Sequence, residues 1–244
     1  MIIPQVIAHR GSSAQHPDNS WAAFEAAVAE GADAIECDVQ ATRDGTLIVR
    51  HDLALGDRLV CDLGVAEVEA AEPGTIRLSD LLSWIAPTTT GLLVEIKDPD
   101  EADAVGAMVS VSPVWERTVV GGFDGPALAA AKLGRPRIRT SFMMGSVIGA
   151  EEIVRLATTY HVDGVHLCWE SRAPRPHALV DTDFIDRLRR NDFAVTLWHE
   201  ERQDELRLLV ALEPDAICTN TPAVLRRIVD AHLARRTEVA RPTM

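Results

Sequence analysis

Short apolar runs recur along the chain, and they have the length and composition of β-strands. Three of them, all near the start of the chain, carry charged or titratable residues where a buried strand is expected to be apolar. That departure marks the first part of the chain as a candidate for chemistry. The predicted strands are Val6–His9, Ala34–Val39, Leu47–Arg50, Leu92–Lys97, Thr118–Phe123, Ile138–Phe142, Gly164–Cys168, Ala194–Trp198 and Ala216–Thr219.

Segments with helical periodicity lie between most of these strands. Asn19 or Ser20 can cap a first helix, and Gly31 can end it. Residues 235–244 lack apolar periodicity, so we expect them to form a frayed tail. The predicted helices are Trp21–Glu30, Leu78–Ile85, Ala102–Val109, Pro126–Leu133, Glu151–Tyr160, Thr182–Asn191, Gln203–Glu213 and Ala223–Ala234.

This alternation predicts parallel strands joined by right-handed crossovers. Eight or nine strands in 244 residues fit a (β/α)8 TIM barrel better than an open doubly wound sheet. The glycine-rich dinucleotide-binding turn is also absent after the first predicted strand. No linker or low-complexity stretch marks a domain boundary. We therefore predict one α/β domain over residues 1–244, with its active site at the C-terminal ends of the strands.

The composition excludes some partners. The formal net charge of −13 argues against binding to nucleic acid or to anionic membrane surfaces. The first residues, Met1–Gln5, form neither a signal peptide nor a membrane span, so we expect a cytoplasmic protein without stable membrane insertion. The cysteines have no metal-type spacing, and we expect no disulfides. The sequence does not indicate an oligomeric state.

The positions of the acidic residues on the predicted strands assign them to a face. Side chains two positions apart on a strand share a face, about 6.6 Å from each other. Glu36 and Asp38 therefore point into the barrel, because the outer face must be apolar to pack on helices. The same parity places Glu95 and Lys97 inside. His9 ends the first strand, at the end where barrel enzymes carry their sites.

Three inward carboxylates would repel one another unless a cation compensates them. The oxygen ligands of Glu36, Asp38 and Glu95 suit one hard divalent cation, Mg²⁺ or Ca²⁺, rather than zinc. Such an ion would also attract a phosphate that the net charge repels. Arg10 and Lys97 would add fixed positive charge. In the simpler alternative, Glu95 and Lys97 form only an ion pair.

The histidines divide by context. His9 and His51 each end a strand-like run, and histidine has the right unperturbed pKa for proton transfer near neutral pH. His166 and His199 lie at or just past predicted strands and could line the mouth of a barrel. The remaining histidines lie in helices or loops and are typical of surface residues; they are His16, His161, His177 and His232.

A set of short motifs extends over nearly the whole chain and is most specific in its first part. The motifs are His9-Arg10-Gly11, Pro17-Asp18-Asn19-Ser20, Gly31-Ala32-Asp33-Ala34-Ile35-Glu36-Cys37-Asp38-Val39, Thr42-Arg43-Asp44-Gly45-Thr46, His51-Asp52, Asp57-Arg58, Glu95-Ile96-Lys97, Phe123-Asp124, Val195-Thr196-Leu197-Trp198 and Thr219-Asn220-Thr221-Pro222. Through them the chain resembles the glycerophosphodiester phosphodiesterase family.

The resemblance implies metal-dependent hydrolysis of a small-molecule glycerophosphodiester to glycerol 3-phosphate and an alcohol. It gives His9 and His51 the roles of general acid and base without deciding which is which. It places Asn19 and Trp198 near the substrate, with Trp169 as a weaker candidate beside Trp198. Asn19 could instead serve only as a helix cap, and Trp198 could be a core residue.

Two other functions fit parts of the pattern. Lys97 could be a Schiff-base nucleophile, as in aldolases, but the acids around it would keep it protonated. A non-catalytic phosphodiester-binding barrel would not need both a histidine pair and three acids. The segment after Trp198, His199-Glu200-Glu201, departs from the family's usual run, so the alcohol of the substrate is not indicated.

Overall fold

The computed structural model describes residues 2–167 and 173–239. Its strands bear out the alternation seen in the sequence. They are β1 (Gln5–Ala8), β2 (Ala34–Ala41), β3 (Leu47–Val49), β4 (Ala54–Leu55), β5 (Arg58–Leu59), β6 (Ile76–Arg77), β7 (Gly91–Ile96), β8 (Thr118–Gly122), β9 (Arg139–Met144), β10 (Gly164–Leu167), β11 (Ala194–Trp198) and β12 (Ala216–Thr219).

Helices follow most of these strands, as a parallel arrangement requires. They are α1 (Trp21–Ala29), α2 (Val65–Ala71), α3 (Leu78–Ile85), α4 (Ala102–Ser110), α5 (Gly125–Lys132), α6 (Ala150–Thr159), α7 (Thr182–Arg189), α8 (Gln203–Ala211) and α9 (Pro222–Val239). Helix α9 continues past Arg235, where the sequence predicts that order ends. No described helix is both long enough and apolar enough to cross a bilayer.

Eight of the described strands form a closed parallel barrel, which confirms the predicted TIM-barrel fold. Strand β2 pairs with β7, and the series continues through β8, β9, β10, β11 and β12. Strand β1 closes the barrel by pairing with both β12 and β2. The helices cover the outside, and apolar strand residues such as Ile35, Val94 and Val120 pack against them in the main core.

The predicted strand Leu47–Arg50 is not part of the barrel. It ends at Val49 as β3, which pairs antiparallel with β2, and β6 adds antiparallel to β3. The connection between β2 and β3 is a short turn, whereas a parallel crossover needs about a dozen residues or more. This antiparallel return carries the chain back along β2, so that Arg50 N donates to the Asp38 carbonyl at 2.9 Å and residue 51 follows directly.

The segment from residue 53 to 77 contains short strands and a helix that the sequence pattern does not predict. Strands β4 and β5 form a hairpin, and α2 follows them. A separate apolar cluster holds this segment against β3, and its buried members are Ile48, Val60, Leu63 and Val68.

The same aspartate interaction recurs at the N-terminal ends of three barrel strands. Asp33, Asp163 and Asp215 each lie one residue before a barrel strand. Each accepts a hydrogen bond from a backbone N–H of the preceding strand in the barrel, at 2.7–2.9 Å; the donors are Val6, Thr140 and Val195. Each also pairs with a basic side chain from a helix, namely Arg226, Lys132 and Arg189.

None of the described cysteines forms a disulfide bond. Cys37 and Cys218 are buried, and Cys61 is exposed. Cys168, which the sequence places at the end of a strand, lies outside the described residues.

Candidate active site

Three carboxylates meet at the C-terminal end of β2 and β7. Glu36 and Asp38 lie two residues apart on β2, and the strand register places Asp38 opposite Glu95. Their side chains are 1%, 0% and 3% exposed, respectively. One oxygen of each lies within 4.8 Å of the others. The structure thus gathers the acidic trio that the strand parity predicts into one buried group.

The trio is electrically unfavourable in the absence of a cation. Burial raises the pKa of Glu36 well above its ordinary value, and the charges of Asp38 and Glu95 raise it further. Burial and Asp38 also raise the pKa of Glu95, although Lys97 opposes them. Glu36 Oε1 and Asp38 Oδ1 are buried, and neither has a hydrogen-bond partner among the described residues. Unpaired carboxylate oxygens of this kind fit the hard divalent cation that the donor set favours.

Two cationic side chains flank the trio. Lys97 Nζ lies 2.7 Å from Glu95 Oε1 and 3.5 Å from Asp38 Oδ1. Arg10 Nε lies 3.0 Å from Asp38 Oδ2. Burial lowers the pKa of both cations, but the nearby carboxylates outweigh it and raise the pKa of each. Both therefore stay charged, which does not favour Lys97 as a Schiff-base nucleophile.

A sharp turn after β1 aims Arg10 at the acids. Arg10 has a left-handed φ of 55°, and its backbone N–H donates to Glu36 Oε2 at 2.8 Å. Gly11 follows with a φ of 84°, and a Cβ there would lie 2.6 Å from the backbone of Ala23. Only glycine fits this close approach to α1. The glycine of the first motif thus lets the arginine beside it reach the trio.

Asn19 lies in the same group and does not cap α1. Ser20 takes that role, since its side chain accepts a hydrogen bond from Ala23 N at 3.2 Å. Asn19 has a φ of 52°, and its Nδ2 donates to Asp38 Oδ2 at 2.8 Å. The left-handed conformation turns its side chain inward. This arrangement supports a site role for Asn19 over the simple capping role.

The two candidate acid–base histidines have different surroundings. His9 is buried, and burial is the main reason that its pKa falls to about 4, although its hydrogen bond to Asn220 opposes this. Its Nε2 lies 3.9 Å from Glu36 Oε2. The His51 side chain is 39% exposed, and its Nδ1 lies 2.8 Å from Asp52 Oδ1. One imidazole is therefore buried beside the trio, and the other lies at the rim.

Gln40 holds the loop that carries His51. It is a site residue beyond those that the sequence predicts. Its Nε2 donates to the carbonyl oxygens of Arg50 and Asp52, both at 2.9 Å. Gln40 follows Glu36 and Asp38 at the same two-residue spacing on β2, so the parity that assigned the acids could also have pointed to it.

An aromatic wall lies beside His9 at the ends of β8 and β11. The Trp198 ring contacts His9 edge to face with centroids 5.7 Å apart, and Phe123 lies 6.0 Å from Trp198. His199 stacks on His9 at 4.9 Å with an interplanar angle of 17°. His166 is buried against Trp198. Trp169, the second aromatic candidate, lies outside the described residues.

Two recesses adjoin the site. One, of about 650 Å³, opens over His9 and Arg10 and reaches Glu201 and Asn220. The other, of about 320 Å³, lies beside His51 between the turn after β1 and the loop before β6. A substrate whose phosphate lies at the trio could therefore extend a group on either side.

Comparison with known proteins identifies a family that the chain resembles. Residues 9–110 match the Glycerophosphoryl diester phosphodiesterase family. A glycerophosphodiester phosphodiesterase of Caldanaerobacter subterraneus is 24% identical over 92% of this chain and 97% of its own length. A probable glycerophosphodiester phosphodiesterase 1 of Mycobacterium tuberculosis is 45% identical, over 29% of this chain and 28% of its own length.

Solved structures share the fold. The structure of an Oleispira antarctica phosphodiesterase in complex with the product sn-glycerol-3-phosphate matches with a TM-score of 0.77. The match has 22% identity and covers 93% of this chain and 97% of that one. A glycerophosphodiester phosphodiesterase from Thermotoga maritima matches with a TM-score of 0.76, at 20% identity, over 93% of this chain and 98% of that one.

Proposed function

We propose that this chain is a member of the glycerophosphodiester phosphodiesterase family, whose model matches residues 9–110, and that it hydrolyses glycerophosphodiesters to glycerol 3-phosphate and an alcohol. One observation carries the proposal: a buried trio of carboxylates, two of whose oxygens accept no hydrogen bond from the described residues, lies beside His9 and near the His51 loop. The related Oleispira phosphodiesterase has been solved with sn-glycerol-3-phosphate, the product expected here.

Glu36, Asp38 and Glu95 would hold one divalent cation, either Mg²⁺ or Ca²⁺. When bound, such an ion neutralises charge on phosphate oxygens. Arg10 would bind a phosphate oxygen through Nη2, since its Nε pairs with Asp38 and its Nη1 pairs with Asp18. Lys97 stays protonated between Glu95 and Asp38, so it keeps a positive charge at the phosphate position.

His9 and His51 would transfer protons to and from the reacting oxygens. One imidazole takes the proton of the attacking oxygen, which belongs to water or to the glycerol's own hydroxyl, as its bond to phosphorus forms. The other gives a proton to the alcohol oxygen as its bond to phosphorus breaks. If the glycerol hydroxyl attacks, a cyclic phosphate forms first and water opens it in a second round.

The remaining candidates would position these groups. Asn19 fixes one oxygen of Asp38, leaving Oδ1 directed at the trio. Trp198 presents a flat apolar face beside His9, where the carbon chain of the glycerol can pack. Both assignments can be tested through KM, because neither side chain moves a proton.

The decisive experiment is a panel of glycerophosphodiesters, incubated with and without chelator, followed by enzymatic detection of glycerol 3-phosphate. We expect release that chelator stops and that Mg²⁺ or Ca²⁺ restores. A matched Glu36→Gln variant should not recover on metal addition, since its amide cannot replace the carboxylate ligand. Tight binding of glycerophosphodiesters without any release would instead identify a non-catalytic binding barrel.

A further inference from the structure

We infer that Asn220 is a positioning residue that holds His9 as the tautomer with hydrogen on Nδ1, so that the Nε2 lone pair faces the acidic trio. The inference rests on the proposed function, in which His9 moves a proton. It deepens that function, because a neutral His9 with a free Nε2 can act only as the base of the pair.

The contact itself is short. Asn220 Oδ1 lies 2.7 Å from His9 Nδ1. An amide oxygen can only accept a hydrogen bond, so the Nδ1 hydrogen must be present to donate. The other ring nitrogen, Nε2, is buried and has no hydrogen-bond partner among the described residues; it lies 3.9 Å from Glu36 Oε2. Nothing described therefore competes with Asn220 for control of the tautomer.

Asn220 is held in place from two sides. Its backbone N–H donates to Glu201 Oε1 at 2.8 Å, and Glu201 Oε2 accepts from the hydroxyls of Thr219 and Thr221, both at 2.9 Å. The Ser13 hydroxyl lies 2.9 Å from Asn220 Oδ1 and 2.7 Å from the His9 carbonyl oxygen. The residue thus presents its side chain to His9 from a fixed turn after β12.

The orientation of the amide fixes the tautomer. With Oδ1 toward the ring, Nδ1 carries the hydrogen and Nε2 carries none. If the amide were turned over, Asn220 Nδ2 would donate to His9 Nδ1, and the hydrogen would move to Nε2. The side-chain amide of Asn220 therefore determines which ring nitrogen faces the trio as a lone pair.

The His9 ring has little freedom to escape this arrangement. It is stacked on His199 and forms a T-shaped contact with Trp198, and the backbone N–H of His9 donates to the Thr219 carbonyl at 2.9 Å. The ring therefore cannot exchange its two nitrogens by rotation without displacing its neighbours. A neutral amide also sets the tautomer without adding a negative charge beside the three carboxylates.

The test reads the tautomer directly. In protein labelled with ¹⁵N-histidine and loaded with Mg²⁺, long-range ¹H–¹⁵N correlations should show His9 protonated on Nδ1 and bare on Nε2. A hydrogen on Nε2 would overturn the inference, and this measurement needs no variant and no turnover. A protein with the expected tautomer that releases no glycerol 3-phosphate would refute the proposed function while leaving the tautomer assignment intact.

Paired variants test the role of Asn220. Asn220→Leu should mix or invert the tautomers and lower kcat by about tenfold or more, with KM changed less than about twofold. Asn220→Asp keeps an acceptor for Nδ1–H, so it should retain the tautomer and most of kcat. Asn191→Leu is the matched control, because the Asn191 side chain hydrogen-bonds to the Arg187 carbonyl at 2.9 Å, at an exposed helix end away from the site. Equal kcat in Asn220→Leu and wild type would overturn the inference.

Discussion

At the scale of single residues, the site divides its two histidines by exposure. His9 is buried against the trio and aromatic rings, whereas His51 sits on a loop at the rim. Under the proposed function, a rim position suits a group that protonates the leaving alcohol. The loop is fixed by Gln40 from below and by Arg50, whose Nε donates to the Asp52 carbonyl at 2.9 Å. The position of His51 is thus set by β2 rather than by its own packing.

Replacement of His51 should therefore remove activity and spare the fold. His51→Ala is expected to lower kcat by about 10²- to 10⁴-fold, the usual contribution of a general acid or base. The thermal midpoint should stay near that of wild type, because the side chain is substantially exposed. His232→Ala on α9 is the control and should keep full turnover. Near-normal release of glycerol 3-phosphate by His51→Ala would rule out the histidine pair.

His166 should make the protein lose stability in acid. Complete burial lowers its pKa to about 3, from 6.5. Between these values the unfolded chain binds a proton that the folded chain does not, so stability falls as pH drops below 6.5. At pH 4.5 this difference amounts to about 2–3 kcal/mol. Urea unfolding of His166→Leu at pH 7 and 4.5 should show a smaller loss than wild type, and equal losses would contradict the assignment.

At the scale of elements, much of this architecture could be predicted. The period-two pattern assigned Glu36, Asp38 and Glu95 to one face, and the strand–helix alternation gave the barrel. The sequence does not predict the antiparallel pairing of β3, because apolar composition does not distinguish this strand from a barrel strand. The inward turn of Asn19 depends on a positive φ. Asparagine tolerates this conformation, but the presence of an asparagine does not predict it. Contacts between His9 and Asn220 join opposite ends of the chain, so no local pattern contains them.

The aspartates at the N-terminal ends of the barrel strands should be structural. Asp163 accepts a hydrogen bond from Thr140 N and pairs with Lys132. Asp163→Ala leaves that N–H unsatisfied and should lower the free energy of unfolding by about 1–3 kcal/mol. Asp103→Ala is the matched control, because Asp103 forms an exposed ion pair with Arg135 and should cost less than about 1 kcal/mol. Urea unfolding compares the two, and equal losses would contradict the strand-capping role.

At the scale of the whole molecule, the net negative charge and the carboxylate trio both repel an anionic substrate. The formal net charge is −13, and the proposed phosphodiester substrate is itself an anion. Long-range attraction cannot gather the substrate, so the local cations must overcome the field at the barrel mouth. Arg10 and Lys97 each pair with a carboxylate of the trio. Their two positive charges do not balance the three negative charges. A divalent cation at that point changes the sign of the local potential.

The same charge balance predicts that metal binding stabilises the fold. A cation that binds only the folded state at 100 times its Kd adds about 2.7 kcal/mol. It also relieves the repulsion that raises the pKa of Glu36 and Glu95. Chelated protein should therefore gain thermal stability as Mg²⁺ or Ca²⁺ is added, with a midpoint that rises with concentration. Glu36→Gln and Glu95→Gln should start more stable than wild type without metal and gain little with it. If both variants gain as much as wild type, the cation binds elsewhere and the trio is held neutral by protonation instead.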